Sequence, residues 1–438
     1  MEWWLLLLII LIALIFLMFI QVPVAFAFIL VNIVAAYFLW GGEQGLLLVI
    51  KSVKDSLTTF TLLPIPLFIL MGEIIFQSGI APKMINTLDK WLGKLPGRLS
   101  LLSIGGGAML STLTASAIGS TAMLGSTLIP EMEKKNYSKE FTIGPILASG
   151  GLAVMIPPSA LGVLMASMSG ISVGAFLIAI IVPGILMALL FSVYVIVRAK
   201  IQPHMAPAYD IEMISIRERL KLTAKYILPL SLIILFVIGS IFLGIASPTE
   251  AAALGVLGSI ILAIGYNSFN KKVIVTSFIK SLNISVMILI IVSGSKVFSQ
   301  VLSYSGATRG LVSIVGNLNF APVIILLIMI LIVLIMGSFM EPLSIMMVTI
   351  PIFIPIVEIL EINLLWLAVL LLIAIEIGNI SPPFGIGLFV MKGVAPKGTI
   401  MMDIYKASIP FVLLNLFLIV IIIVFPDLVT FLPDVMRE

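Results

Sequence analysis

Uninterrupted apolar runs recur along the chain, from Trp4–Ile20 through Tyr226–Ala246 to Phe411–Phe425, and they leave few ways for it to fold. About 20 predominantly apolar residues are enough for a helix to cross the hydrocarbon core of a bilayer. Inside lipid every backbone N–H and C=O must find a partner within the protein, so only helices and closed barrels cross. Barrel strands alternate apolar and polar residues, whereas these runs are continuously apolar. An all-α polytopic membrane protein is expected, with roughly ten to twelve crossings. Composition agrees: 61% of residues are apolar and 10% charged, with a mean hydropathy of +1.30, outside the range of soluble domains. Residues 3–20 are expected to be a retained helix and not a signal peptide, because Glu2 stands where a basic n-region belongs and no small-x-small cleavage site follows.

The 24 basic residues exceed the 20 acidic ones, but they are scattered over short connections and form no stripe of the kind that grips nucleic acid. The stretch Arg198–Lys225 concentrates Arg198, Lys200, Arg217, Arg219, Lys221 and Lys225 against Asp210, Glu212 and Glu218. Basic loops stay on the cytoplasmic side, so this connection is expected there. The chain is therefore expected in a bacterial inner (cytoplasmic) membrane, with lipid as its surroundings.

That polar connection separates two hydrophobic halves that resemble each other. The first carries Gly72-Glu73-Ile74-Ile75-Phe76-Gln77-Ser78-Gly79, a polar-small cluster at Thr114–Ser120, Pro130, and Ile156-Pro157-Pro158-Ser159. The second carries Ser299-Gln300-Val301-Leu302-Ser303-Tyr304-Ser305-Gly306, a cluster at Gly337–Ser344, Pro355, and Ser381-Pro382-Pro383-Phe384. Pro130 to Pro157 and Pro355 to Pro382 are both 27 residues apart, and Pro183 and Pro410 keep nearly the same offset. Landmarks in the same order at near-constant spacing argue for a duplicated unit. The expected organisation is 1–56 as N-terminal scaffold helices, 57–197 as a first transport repeat, 198–225 as the cytoplasmic linker, 226–280 as further scaffold and 281–438 as a second transport repeat. Duplicated halves with hydrophobic helices interrupted in corresponding places point to a secondary transporter and its binding site. Inverted repeats with broken helices and re-entrant hairpins are the expected form.

Each double proline removes backbone donors and keeps the preceding residue out of the α conformation, so a helix must stop there with its last carbonyls unpaired. At membrane depth such a stretch is tolerated only in a protein interior or beside a polar cavity, and its oxygens suit a hard cation such as sodium. Pro157, Pro158 and Ser159, together with Asn379, Ser381, Pro382, Pro383 and Gly385, are the candidate sites. The alternative is an ordinary pair of helix ends at the membrane surface. Thr114, Ser116, Gly119 and Ser120 in the first cluster, and Gly337, Ser338 and Glu341 in the second, offer hydroxyls, helix breaks and a carboxylate. Close packing of small residues between helices would explain the first cluster as well.

Glu73, Glu250, Glu341 and Glu376 are acids in apolar surroundings, and Lys296 and Arg309 the comparable bases. Intramembrane charges are functional candidates by default. For Glu73 and Glu376 a structural role is expected. Arg309 can meet a substrate carboxylate bidentately, pair with a glutamate or reach the membrane surface.

Enzymatic readings fail on inventory. The one histidine, His204, lies in the polar linker and there is no cysteine, so neither a buried Ser–His pair nor a His/Cys metal site can be built. No aspartate pair occurs inside a span, and no G-x-x-x-x-G-K-[ST] motif is present for ATP. No organic cofactor is expected.

Ala246-Ser247-Pro248-Thr249-Glu250-Ala251-Ala252, both double-proline motifs, and the tail from Lys392-Gly393-Val394-Ala395 through Pro426 and Pro433 resemble the large membrane subunit of TRAP (tripartite ATP-independent periplasmic) transporters. The resemblance covers essentially the whole chain. It implies an elevator-type symporter driven by a sodium gradient, a small membrane subunit, and a periplasmic substrate-binding protein that delivers a small carboxylate. It further implies that Thr114, Ser116 and Ser159 line the substrate and sodium region, with Glu250 and Arg309 as further polar positions. Thr114-Ala115-Ser116 departs from the family's Ser-Gly-Ser pattern, keeping both hydroxyls and losing the glycine. A single-component sodium/anion symporter is the nearest alternative. A channel or a non-transporting membrane subunit is the alternative from another class.

Overall fold

A computed structural model describes residues 2–20, 22–93, 95–114, 117–207, 215–318 and 320–437. Among them the regular structure is entirely helical. The chain begins with α1 (Trp3–Phe19), α2 (Val24–Leu39), α3 (Glu43–Leu57), a 3₁₀ turn at Phe60–Leu62, α4 (Pro64–Gln77) and α5 (Ile80–Leu92). The first half continues with α6 (Arg98–Thr114), α7 (Ala117–Lys134), α8 (Lys139–Met155), α9 (Ala160–Met168), α10 (Val173–Ala179) and α11 (Ile181–Ile201). Beyond the polar connection lie α12 (Ile216–Leu222), a π-helical turn at Thr223–Ile227, α13 (Leu228–Phe242) and α14 (Pro248–Gly265). The second half comprises α15 (Lys271–Tyr304), α16 (Ala307–Asn317), α17 (Pro322–Gly337), α18 (Pro342–Ile359), α19 (Leu364–Asn379), α20 (Ile386–Val394), α21 (Met401–Val424) and α22 (Asp427–Arg437). A single helix, α15, runs through positions 280 and 281.

The duplicated landmarks become duplicated structure. Gly79 and Gly306 both take left-handed backbone angles, φ +70° and +79°, which a residue with a Cβ adopts only at a cost. Immediately before each, a serine hydroxyl donates back to a helical carbonyl: Ser78 to Ile75 at 2.7 Å and Ser305 to Leu302 at 2.9 Å. The short helices α5 and α16 then leave at the same point of each half. Pro130 and Pro355 lie inside the equivalent helices α7 and α18, and Pro410 lies inside α21.

Among the described residues, seven helical stretches are long and apolar enough to cross a membrane, and α8 with α9, bent by 49° at the break between them, makes an eighth if taken as one span. Four further apolar helices, α1, α2, α17 and α19, are shorter, and the expected ten to twelve crossings are reached only when they are counted. Large apolar side chains cover the outside, with Phe19 at 85% and Phe38 at 78% exposure. In water such a surface would aggregate; in a bilayer it is the solvated face.

α15 is the central strut, packing on α2, α3, α4 and α18. Buried polar bonds fix it to the N-terminal helices: Asn32 Nδ2 donates to the Gly294 carbonyl at 2.7 Å and Ser281 Oγ to the Pro66 carbonyl at 3.1 Å. Glu73 accepts from Gln77 on its own helix and lies 4.0 Å from Lys280 on α15, a structural pairing. Charged residues tie together the end of the bundle next to the polar connection. Lys139 pairs with Asp403 at 2.8 Å, and Arg198 with Glu140, joining α8 to α21 and α11. Arg98, 4% exposed, pairs with Asp89 at 2.6 Å and locks α6 to α5.

Candidate functional site

The first break follows directly from its prolines. α8 ends at Met155, Ile156 is extended, and α9 begins at Ala160 after a cis Pro157-Pro158 bond. Pro157 and Pro158 have no N–H to give the carbonyls of Ala153 and Val154 four residues earlier. Both prolines are buried. Ser159, 1% exposed, caps α9 by accepting from the Gly162 N–H at 3.0 Å. A hydroxyl has a further lone pair and a donor, so capping leaves Ser159 able to bind something else.

The second break repeats the backbone event with different chemistry. α19 ends at Asn379, the Pro382-Pro383 bond is cis, and α20 starts after Gly385. Here the glycine is required by contact. A Cβ at Gly385 would lie 2.6 Å from the Asn379 carbonyl oxygen and 2.8 Å from those of Gly378 and Ser381. Three main-chain oxygens thus converge on one small space. The Gly385 N–H donates to Ser381 at 3.1 Å, and Asn379 Oδ1, 5% exposed as a residue, accepts from the Gly387 N–H at 3.1 Å. Asn379 therefore caps α20 from across the break. The Tyr405 hydroxyl on α21 donates to the Pro383 carbonyl at 2.8 Å and holds the unwound segment from outside.

The polar-small clusters lie where paired helices meet. α6 and α7 pack together. Ser116 and the side chain of Thr114 lie outside the described residues. Gly119 and Ser120 stand on the first turn of α7, with Ser120 fully buried. α7 approaches α8 so closely at Gly150 that a Cβ there would meet the Thr121 hydroxyl at 2.5 Å and the Ala117 carbonyl at 2.9 Å. In the second half α17 and α18 pack together, with Ser338–Glu341 between them. Ser338 Oγ donates to the Leu334 carbonyl at 3.4 Å, and Glu341 accepts from Ser344 Oγ at 3.4 Å. Gly337 touches Gly378, where a Cβ would come within 2.6 Å of the opposing Cα.

The halves interlock through these elements. α8 packs on α19 and α20, and α9 on α19, so the two breaks are neighbours. α20 also packs on α7 and α9 on α18, so each half-helix leans on the helical pair of the other half. Pro157, Pro158, Ser159, Gly119 and Ser120 are thereby brought into one assembly with Gly337, Asn379, Ser381, Pro382, Pro383 and Gly385.

Other candidates lie elsewhere. Glu250 forms a capping box with Ser247, accepting from the Ser247 N–H and hydroxyl at 2.8 Å each, on an exposed helix start that packs on α4 and α13. Arg309 is exposed on α16 and makes no ion pair among the described residues. Glu376 is 1% exposed, and neither carboxyl oxygen has a hydrogen-bond partner among the described residues. It faces α8 at Gly151, where a Cβ would lie 3.6 Å from Oε2. Sequence reasoning missed Tyr405 and Gly378. Gly378 had a signal, a glycine in an apolar helix one residue before a polar stop, whereas nothing local marks Tyr405.

A duplicated helical core with paired helix breaks defines a multi-pass membrane protein of transporter architecture. The model of the family "Tripartite ATP-independent periplasmic transporter, DctM component" matches residues 11–428, and the chain belongs to that family. It is 30% identical over 380 residues to the C4-dicarboxylate TRAP transporter large permease protein DctM of Pseudomonas aeruginosa, covering 86% of each chain. To the DctM protein of Vibrio cholerae it is 28% identical over 443 residues, covering 96% of this chain and 95% of the other. Among solved structures, the fold is similar to that of the Alcanivorax borkumensis YdaH transporter, with a TM-score of 0.64 at 16% identity, covering 88% of this chain and 90% of that one. The protein is thus a TRAP transporter large permease, a transport component and not an enzyme.

Proposed function

We propose that this permease takes up a small organic carboxylate by sodium symport, receiving it from a periplasmic substrate-binding protein and working with a small membrane subunit. The convergence of the Gly378, Asn379 and Ser381 carbonyls around Gly385 carries the reading. Neutral oxygens in a water-poor interior are what a hard cation requires in place of its hydration shell. The buried Ser159 hydroxyl is the matching donor in the first half. Sodium at the breaks fixes the ends of the helical pairs against them, and affinity for the carboxylate rises by coupled binding. The starts of α9 and α20 add the positive ends of helix dipoles, which favour an anion. The interlocked halves then move as one body across the scaffold of α2, α3, α4 and α15, as inverted repeats do in an elevator mechanism. The carboxylate class is supported by the relatives named for C4-dicarboxylates.

The test is uptake into proteoliposomes holding the permease, the small subunit and the binding protein. Accumulation is expected to stop when the sodium gradient is removed. Undiminished accumulation without the gradient overturns sodium coupling, and undiminished uptake without the binding protein overturns the delivery route.

A further inference from the structure

A polar chamber lies away from the breaks. It is a cavity of about 400 Å³ walled by the end of α3 and the turn after it, the C-terminal end of α9, the C-terminal half of α15, and Pro351, Ile354 and Pro355 of α18. Thr59, Thr61, Ser167, Ser169 and Ser299 line it together with Lys296. No carboxylate is among the described residues that line it, so Lys296 supplies its one full charge. Lys296 is exposed to the cavity and has no ion-pair or hydrogen-bond partner among the described residues. By contrast Lys280, four turns earlier on α15, lies beside Glu73. An unpaired ammonium in an apolar bundle is costly, and a helix that keeps one beside a ring of hydroxyls has built a site for an anion. The volume suits a small ligand.

Its position sets it apart from the breaks. The nine residues of α9 separate Ser159 from Ser169, about 13 Å of helix rise. Pro351 is a similar distance along α18 from Glu341. The chamber sits at the start of the Val173–Ile201 span, and the basic connection follows that span's other end, so the two lie on opposite sides of the bundle. With the basic connection inside, the chamber faces outward. Its walls belong half to the scaffold, α3 and α15, and half to the interlocked core, α9 and α18.

We propose that the Lys296 chamber is an outward-side receiving site, where the carboxylate of the arriving solute is held by the ammonium and neighbouring hydroxyls before it reaches the breaks. The proposal rests on carboxylate uptake being the function. Lysine suits the task, being a compact charge on a flexible stem that holds an anion without the fixed geometry of an arginine fork.

The chain has no cysteine, so Ser299→Cys places a single thiol in the chamber. The variant is purified into phosphatidylcholine vesicles and labelled with methanethiosulfonates carrying either a sulfonate or a trimethylammonium group, each rate normalised to that with free cysteine. The anionic reagent is expected to react about five- to tenfold faster, the size of effect one nearby, partly screened charge produces. Lys296→Gln should abolish the preference and Lys296→Glu reverse it. Succinate at constant ionic strength should slow labelling severalfold with Lys296 present and not with Lys296→Gln. Thr59→Cys, at another lining position, gives the same reading should Ser299→Cys misfold. Equal rates for both reagents, a preference indifferent to Lys296, or thiols that neither reagent reaches overturn the proposal. So does protection by phosphatidylglycerol vesicles and not by succinate, which assigns the anion to a lipid headgroup. None of these rates depends on sodium or the binding protein, so failure of sodium coupling in the uptake assay leaves them unchanged, and their failure leaves that coupling standing.

Discussion

The two helix breaks occupy equivalent places in the duplicated halves, yet they solve the same backbone problem with different groups. At the first, a buried serine hydroxyl caps the following helix and both prolines are packed into the core. At the second, the position of Ser159 is taken by Phe384, 52% exposed, and that of Ala160 by Gly385, ringed by three carbonyl oxygens. Capping there passes to Asn379, and Tyr405 ties the segment from outside. Equivalent positions therefore unwind in both halves, while the groups that satisfy the freed backbone differ. The first break offers a side-chain oxygen in a tightly packed setting; the second offers main-chain oxygens beside an open surface.

The sharpest way to break that contrast is Gly385→Ala. Its Cβ falls among the three carbonyl oxygens at 2.6–2.8 Å, so sodium-dependent uptake should fall more than tenfold, with about 1–3 kcal/mol lost from stability. Ala160→Gly, the mirror change in the first half, should cost only about 0.5–1 kcal/mol and keep uptake. Thermal unfolding and proteoliposome uptake read both, and equal effects would erase the distinction drawn here.

Next in size is Gly378→Ala, which forces a methyl group into the Gly337 contact and should lower stability by about 1–3 kcal/mol. Because the clash lies between α17 and α19, Gly337→Ala should match it, and the double variant should lose less than the two losses added together. Strict additivity would mean the two glycines do not share one contact.

Ser159→Ala removes a cap and should cost about 1 kcal/mol, while Ser159→Gly should cost a few tenths. If the hydroxyl also binds sodium, both variants should lose sodium-dependent thermal stabilisation to the same degree despite their unequal stabilities. Retention of that stabilisation in Ser159→Gly would confine Ser159 to capping. The smallest effect is expected from Tyr405→Phe, which deletes the hydrogen bond to Pro383 and should cost about 0.5–1.5 kcal/mol. A loss confined to uptake, with stability unchanged, would give the hydroxyl a part in binding.

Much of this was legible before any coordinates. Continuous apolar runs require helices in lipid, and the paired Ser-Gly and Pro-Pro landmarks mark where each half turns or unwinds. Both belong to the chemistry of neighbouring residues: a missing N–H, a permissive φ, a length set against a bilayer. Glu250 shows the limit of that approach. Its setting in Ser-Pro-Thr-Glu, read as a functional motif, is also a helix start, and the carboxylate is used in its own capping box. Arg309, offered as a partner for substrate, stands exposed on a helix whose packing is with α1, α15 and α18.

The amino-acid order settled that the chain is helical, that it lives in lipid, that it is built twice over, and at which residues its helices stop, because each of these follows from contacts a few positions long. It did not settle that the helices flanking the two stops pack together, that three carbonyls close around Gly385, or that Lys296 lines a chamber walled by α3, α9, α15 and α18. Those depend on which distant helices lie side by side, a choice made by shape and packing across hundreds of residues that local chemistry leaves open.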